Sequence, residues 1–110
     1  MEKRDLEELW EIVRRIPPGR CAAYGDVARE LDNPVSGYTV GRWMANAPLT
    51  VPWWRVVGKH GDLPIAKRDP MMASEQRRLL EAEGVAFEEA KVRMDLHRLD
   101  FDSPPSGGRE

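Results

Sequence analysis

Cysteine is nearly absent from this sequence. The 110 residues hold one, Cys21, which excludes an intramolecular disulfide and any zinc site built from several thiolates, and fits a reducing compartment. The two histidines, His60 and His97, do not fall at metal-ligand spacing, so neither a metal nor a cofactor is expected. No apolar run approaches the length that spans a bilayer, and the charged residues 1–5 do not read as a signal peptide. An intracellular chain without a membrane partner is expected. Positive charge is not in excess either: 17 Lys and Arg face 19 Asp and Glu, a net charge of −2. Overall charge therefore does not announce a nucleic-acid binder, although a local patch is what a phosphate backbone meets. A nucleophile with its base is also missing. Ser36 and Thr39 have no plausible base nearby, the carboxylates lie mainly on helix faces among lysines and arginines, and Cys21 reads as a buried small residue rather than a reactive thiol. There is no internal repeat, and the length suits one domain with a modest core.

What is present is mostly helical patterning. Leu6, Leu9, Trp10, Val13 and Ile16 recur at three- and four-residue spacing, which predicts an amphipathic helix over 3–16, stopped by Pro17-Pro18-Gly19. Residues 20–23 form a short extended connector. A second helix is expected from Tyr24 or Gly25 to Leu31, and a third over 38–45, with the turn formers of 32–37 between them. Tyr38 and Arg42 share a face of the third helix. Two short helices joined by a polar turn have the outline of a helix-turn-helix. Residues 58–62 suggest a hairpin or wing tip. Pro70 suits the first turn of a fourth helix, centred on Leu79 and Leu80 and ended by Gly84. Residues 85–87 read as extended, and 92–101 as a strand or packed coil. The tail, 103–110, is disordered on composition, leaving 1–102 as the folded domain.

Half of the chain's four tryptophans stand side by side in Val51-Pro52-Trp53-Trp54-Arg55-Val56-Val57. Pro52 restricts the backbone where a loop meets a strand, and Arg55-Val56-Val57 reads as that strand. Adjacent strand residues point to opposite faces, so the two indoles cannot both fill one core face unless the chain bends. The pair reads either as core aromatics or as a ligand-presenting pair. Arg55, Lys59, Lys67 and Arg68 make this region basic, opposed only by Asp62. A basic wing beside aromatics and a helix-turn-helix is a nucleic-acid footprint, and a solvated wing with ordinary lysines is its alternative.

Several of these stretches, in register, resemble one family. Ile16-Pro17-Pro18-Gly19-Arg20, Tyr24-Gly25-Asp26-Val27-Ala28, Val40-Gly41, Pro48 and Pro52-Trp53-Trp54-Arg55-Val56-Val57 are similar to the DNA-binding domain of O6-alkylguanine-DNA alkyltransferases. Residues 67–85 resemble that family's last helix. The resemblance covers about 5–100 and implies a mainly α, winged-helix-like DNA-binding domain with a helix-turn-helix and a short β-hairpin wing. Where the enzymes have Pro-Cys-His-Arg, this chain has Pro-Trp-Trp-Arg. The acceptor thiol is replaced by Trp53 and the activating imidazole by Trp54, so the chain resembles the non-catalytic, alkyltransferase-like branch, which usually keeps the histidine.

That resemblance implies non-enzymatic recognition of O6-alkylguanine in double-stranded DNA, by minor-groove binding and base flipping, with the lesion flagged for nucleotide excision repair proteins. It implies a lesion pocket of Tyr24, Met44, Trp53, Val56 and Arg68, with Tyr24 also at the phosphate beside the flipped nucleotide. Tyr38, Arg42, Arg55 and Lys59 are the further expected DNA-binding residues, although the motif arginine, here Arg55, is mainly structural in the family. Glu83, which matches the glutamate of the enzymes' catalytic network, is expected to be structural. A monomer is expected. The chain departs from the pattern at Tyr38, where the family has an arginine finger. Either the ring wedges between bases with Arg42 supplying the charge, or DNA binding is weakened or redirected. The alternative function is a DNA- or protein-binding module of the same fold without lesion specificity. The loop before Trp53 is shorter than the family's, and Asn46 is displaced from the family's hinge asparagine.

Overall fold

The structure, a computed structural model, describes residues 3–101. In order, the elements are α1 (Lys3–Arg14), β1 (Ala22–Ala23), α2 (Tyr24–Arg29), α3 (Gly37–Met44), a 3-10 turn (Trp53–Arg55), β2 (Val56–Val57), a second 3-10 turn (Pro64–Lys67), α4 (Pro70–Ala82), β3 (Phe87–Glu88), β4 (Lys91–Val92) and α5 (Met94–His97). The expected 103–110 tail lies outside the described residues.

The apolar stripe of α1, Leu9, Ile12 and Val13, packs with Ile16 just beyond its end against Val27, Ala28 and Leu31 of the second helical region and Val40 of α3. The helix-turn-helix is built on two local features. Ser36 caps α3, its hydroxyl accepting from the Thr39 N–H at 3.1 Å. Gly37 then lies so close to α2 that a Cβ on it would stand 3.0 Å from the Gly25 nitrogen, so the N-terminal ends of the two helices nearly touch.

β1 and β2 form a two-residue parallel pair, Ala22 against Val56 and Ala23 against Val57. The pair divides the core. Ala22 and Val56 belong to the helical cluster, while Cys21 and Val57 join Leu80, Val85 and Val92 in a second one. This is the opposite-face alternation of extended backbone. α4 begins as its sequence requires, with the Asp69 carboxylate accepting from Met72 N–H at 3.1 Å and Pro70 in the first turn. It ends at Gly84, whose φ is +87°. Val85 N–H donates to Leu80 O and Gly84 N–H to Glu81 O, both at 3.0 Å, a Schellman closure that also seats Val85 on Leu80 in the second cluster.

Three expectations change. The strand begins at Val56 rather than Arg55, because the two tryptophans and Arg55 wind into a 3-10 turn. The chain therefore bends at the pair, and strand alternation does not govern it. The hairpin is not at 58–62 but at β3–β4, where Phe87 faces Val92. Residues 58–62 instead form a tight loop, with Gly58 N–H donating to Asp62 O at 2.8 Å, and Val92 N–H donates to its Gly61 O at 2.9 Å. The stretch after Val92 is neither a strand nor simple coil: it holds α5 and then a single bridge from Arg98 to Cys21. No helix among the described residues is long and apolar enough to cross a membrane.

Candidate nucleic-acid interface

A cleft of about 600 Å³ opens between the N-terminal ends of α2 and α3, the Trp53 turn and the second 3-10 turn. Tyr24, Met44, Trp53 and Arg68, four of the five expected pocket residues, line it. Val56 does not. It is 1% exposed in the helical core, because pairing with Ala22 turns its side chain into that cluster. Tyr38, Arg42 and Lys59 also line the cleft. Tyr38 is 77% exposed at the start of α3, so its ring is held out from the fold rather than used to fill it. Burial pushes the Tyr24 hydroxyl's pKa up, and the Asp62 charge adds to this against an opposing Arg68. The phenol stays neutral and able to donate a hydrogen bond.

Arg55 is not part of this lining, and it separates from the other cations. Its Nε donates to Glu83 Oε1 at 3.0 Å and its Nη2 to Oε2 at 2.6 Å, while Nη1 donates to the Ile16 carbonyl at 2.8 Å. The expected DNA contact from Arg55 is thus replaced by a fork that ties the Trp motif to the end of α4 and the end of the α1 region. Trp54 belongs to the same network. Its Nε1–H donates to Glu83 Oε2 at 3.0 Å, and the Arg55 guanidinium lies 5.4 Å from its ring centre. Trp53 meets Trp54 edge to face, with ring centres 6.0 Å apart and planes at 88°. One indole therefore lines the cleft and the other braces it from the second core cluster.

Gln76 escaped the sequence reading as a site residue. It is 2% exposed, and its Nε2 donates at 3.1 Å to both Trp54 O and Val56 O. A polar residue on the apolar stripe of α4 was the available signal. Pro64 and Ile65 complete the apolar wall, and Gly41, beside which a Cβ would meet nothing within 4 Å, leaves it open along α3. Nothing local marked Ile65. His97 is structural: its Nε2 accepts from Ala86 N–H at 2.9 Å, which leaves Nδ1 to donate to Gly19 O at 3.0 Å. Cys21 is fully buried. Burial, then the Glu83 charge, push its thiol up to about 12 against an opposing Arg55, so it is no nucleophile.

Two carboxylates hold the frame. Burial pushes the Glu83 carboxyl up, but the hydrogen bonds from Arg55 and Trp54, the Arg55 charge and the Gly19 amide outweigh it and leave it below the usual 4.5. Asp26 is held below 3.8 chiefly by Arg98, whose Nε and Nη2 each donate to it at 2.9 Å, with Arg29 and the Ala23 amide assisting against burial. A carboxylate whose folded pKa is depressed stabilises the fold fully above its unfolded pKa and loses that contribution as pH falls through its folded value. Denaturant midpoints are therefore expected to be flat from neutral pH down to about pH 5 and to fall steeply below about pH 4. Glu83→Gln should shallow the acid slope. An acid slope identical in that variant contradicts the assignment.

The residues at 6–85 match the family model described as the DNA-binding domain of 6-O-methylguanine DNA methyltransferase. The chain is 39% identical over 106 residues to the DNA base-flipping protein of Escherichia coli K12, covering 93% of this chain and 79% of that one. It is 40% identical over 82 residues to alkyltransferase-like protein 1 of Schizosaccharomyces pombe, covering 71% and 73%. Among solved structures it resembles S. pombe Atl1 in complex with damaged DNA containing O6-carboxymethylguanine, with a TM-score of 0.75, 26% identity, and coverage of 91% and 98%. The Mycobacterium tuberculosis OGT–DNA complex is a more distant likeness, at a TM-score of 0.60 and 27% identity, covering 76% and 51%.

Proposed function

The chain belongs to the family of the 6-O-methylguanine DNA methyltransferase DNA-binding domain, and on that premise we propose that it binds duplex DNA containing O6-alkylguanine and holds the lesion without removing it. The observation that carries this reading is Trp53 in the wall of the cleft, at the position where the family resemblance puts an acceptor cysteine. Beside it, at the position where the resemblance puts the activating imidazole, the Trp54 indole is a donor only, bound to Glu83, and cannot take up a thiol proton.

In this reading the flipped base enters the cleft and stacks on Trp53, with Arg68 at its alkylated edge. Flipping costs a few kcal/mol of stacking, less for a mispaired, damaged base, which itself favours the lesion. Tyr24 meets the phosphate beside the flipped nucleotide. α3 enters the minor groove, Tyr38 wedges into the vacated stack, and Arg42 and Lys59 contact the backbone. The complex acts as a monomeric, intracellular flag for nucleotide excision repair. The name of the E. coli relative and the Atl1 complex with damaged DNA support DNA binding with base flipping.

The test is an equilibrium titration of matched duplexes containing guanine or O6-methylguanine at one position. Tighter binding to the modified duplex is expected. Equal affinities would leave a DNA-binding module without lesion specificity.

A further inference from the structure

We propose that residues 93–101, beyond the stretch 6–85 that matches the family's DNA-binding domain, form a strap that sets the DNA-binding position of Tyr24, with Arg98 as the positioning residue. This rests on the reading in which Tyr24 meets a phosphate. It adds a segment and a residue to which that reading gives no role.

Tyr24 is the first residue of α2, a helix of six residues whose N-cap is Ala23. Alanine has no side chain to cap with. What fixes the start of the helix is Asp26, in its first turn, which accepts the Ala23 N–H. That is one half of a capping box, the third helical residue reaching back to the N-cap amide. Asp26 is 8% exposed and also pairs with Arg29 of the same helix. A buried carboxylate keeps its place through the partners that satisfy it, and Arg98 is the one from outside the helix. Its Nε and Nη2 donate to the two carboxylate oxygens at 2.9 Å each, a fork across 72 residues of chain.

The rest of the strap grips the chain on the other side of Tyr24. Cys21 N–H donates to His97 O at 2.9 Å, and Leu99 N–H donates to Cys21 O at 2.8 Å. Arg20 Nη1 donates to Leu96 O, and His97 Nδ1 to Gly19 O, both at 3.0 Å. Residues 19–21 and Asp26 are thus held from the same segment, with Tyr24 between them. The strap is itself pinned at both ends. Met94 packs on the second core cluster, and Leu99 and Phe101 pack on the helical one. The Arg15 guanidinium adds a contact 5.7 Å from the Phe101 ring centre.

From α2 the effect reaches the cleft in one step. Tyr24 and Gly25 line it, and Gly37 at the start of α3 stands against the Gly25 backbone. With no side chain on either glycine to absorb a displacement, a shift in the first turn of α2 moves the Tyr24 hydroxyl relative to Tyr38 on α3. The Arg98 side chain is 57% exposed, so solvent screens much of what the pair adds to stability. Its geometry is a different matter, because a planar fork fixes a carboxylate's orientation as a single ammonium does not.

The experiment is a double-mutant cycle on Arg98 and Tyr24. It is read as affinity for a duplex containing O6-methylguanine, at a temperature where circular dichroism shows every variant folded. Tyr24→Phe should weaken binding about tenfold, the scale of one hydrogen bond to a charged group. Arg98→Met should weaken it about three- to fivefold in the unaltered background, and by under about twofold when combined with Tyr24→Phe, because the contact it positions is then already gone. Arg98→Lys keeps the charge, loses the fork and should recover part of the loss. Should Arg98→Met not fold, Arg98→Lys carries the cycle in its place. The salt dependence of binding should be unchanged in Arg98→Met, since a phenol releases no counterion, whereas a lost arginine–phosphate contact would flatten it. Asp26→Asn gives an opposing check. It makes the chain less acidic, which by long-range charge alone favours DNA, yet an amide offers the fork one oxygen instead of two, and binding should weaken. Losses that add in the cycle, a flattened salt dependence, or tighter binding by Asp26→Asn overturn the positioning role. If Tyr24→Phe binds as well as the unaltered protein, the phosphate contact fails and this inference with it. Equal affinities of the unaltered protein for guanine and O6-methylguanine duplexes would overturn lesion recognition, while the cycle would still decide on Arg98.

Discussion

Arg55→Ala is expected to lower the melting temperature by roughly 10–20 °C, the largest effect of any single replacement in the Trp motif. The expectation follows from what the guanidinium holds. Arg55 is 13% exposed and Glu83 16%, so solvent does little to screen the pair or to replace it. Deleting the cation leaves the largely buried Glu83 carboxylate with the Trp54 N–H and the Gly19 amide but no counter-charge, and leaves the Ile16 carbonyl without its 2.8 Å donor. Breaking a buried pair from one side typically costs 3–5 kcal/mol, and the residual exposure here places the expected loss at about 3 kcal/mol. Arg55→Lys should recover part of it, because an ammonium can satisfy Glu83 or Ile16 but cannot fork to both. Thermal melts by circular dichroism decide the matter. A melting temperature within a few degrees of the unaltered protein would mean the network is not structural. A second readout separates this role from a DNA contact: below its melting range, Arg55→Lys should keep the salt dependence of DNA binding, since no phosphate contact is lost.

Trp53→Ala should cut the preference for O6-methylguanine over guanine by about 1–3 kcal/mol, the cost of one lost base-stacking contact, or roughly five- to 150-fold. The effect should fall on discrimination rather than on binding to undamaged duplex, because Trp53 lines the cleft while Arg42 and Lys59 approach it from other segments. Stability should suffer less than in Arg55→Ala. Trp53 makes an edge-to-face contact with Trp54, but unlike Trp54 it belongs to neither core cluster. An unchanged affinity ratio for the two duplexes would remove Trp53 from the lesion site. A companion substitution tests the chemistry. Trp53→Cys restores a thiol at the acceptor position but still lacks a base, since the Trp54 indole is a donor already bound to Glu83. That variant should gain no alkyl mass after incubation with alkylated DNA. A mass gain on the introduced thiol would show that the site activates it by another route.

Much of the fold was legible because its signals are local. The spacing of Leu9, Val13 and Ile16 set α1, and Pro70 and Gly84 bracket α4 within a residue or two of its observed ends. These features depend on neighbours within one or two helical turns, where the side-chain period and the cap geometry are fixed by the backbone itself. The order of motifs was legible for a different reason: their register resembled a family, and that resemblance named four residues, Tyr24, Met44, Trp53 and Arg68, that line the cleft. Local reading failed where pairing is long-range. A two-residue strand carries no period, so Ala22-Ala23 announced nothing until Val56-Val57 lay beside it. The β3–β4 hairpin went unseen for the same reason, while the Gly-rich loop at 58–62 drew the expectation to itself.

The cations make the division sharpest. By itself the sequence determined that a basic, aromatic stretch follows Pro52, with tryptophan at the two positions where the family resemblance puts an acceptor cysteine and its histidine. Arg55, Lys59 and Arg68 are equal members of that stretch when read as letters. Only the tertiary structure sorted them, because a cation's role depends on which acceptors the fold brings within about 3 Å of it, where a charge-assisted hydrogen bond forms. The end of α4 delivers Glu83 to Arg55, 28 residues away in the chain, while among the described residues no Asp or Glu lines the cleft of Lys59 and Arg68, and Asp62 acts on Tyr24 from outside that lining.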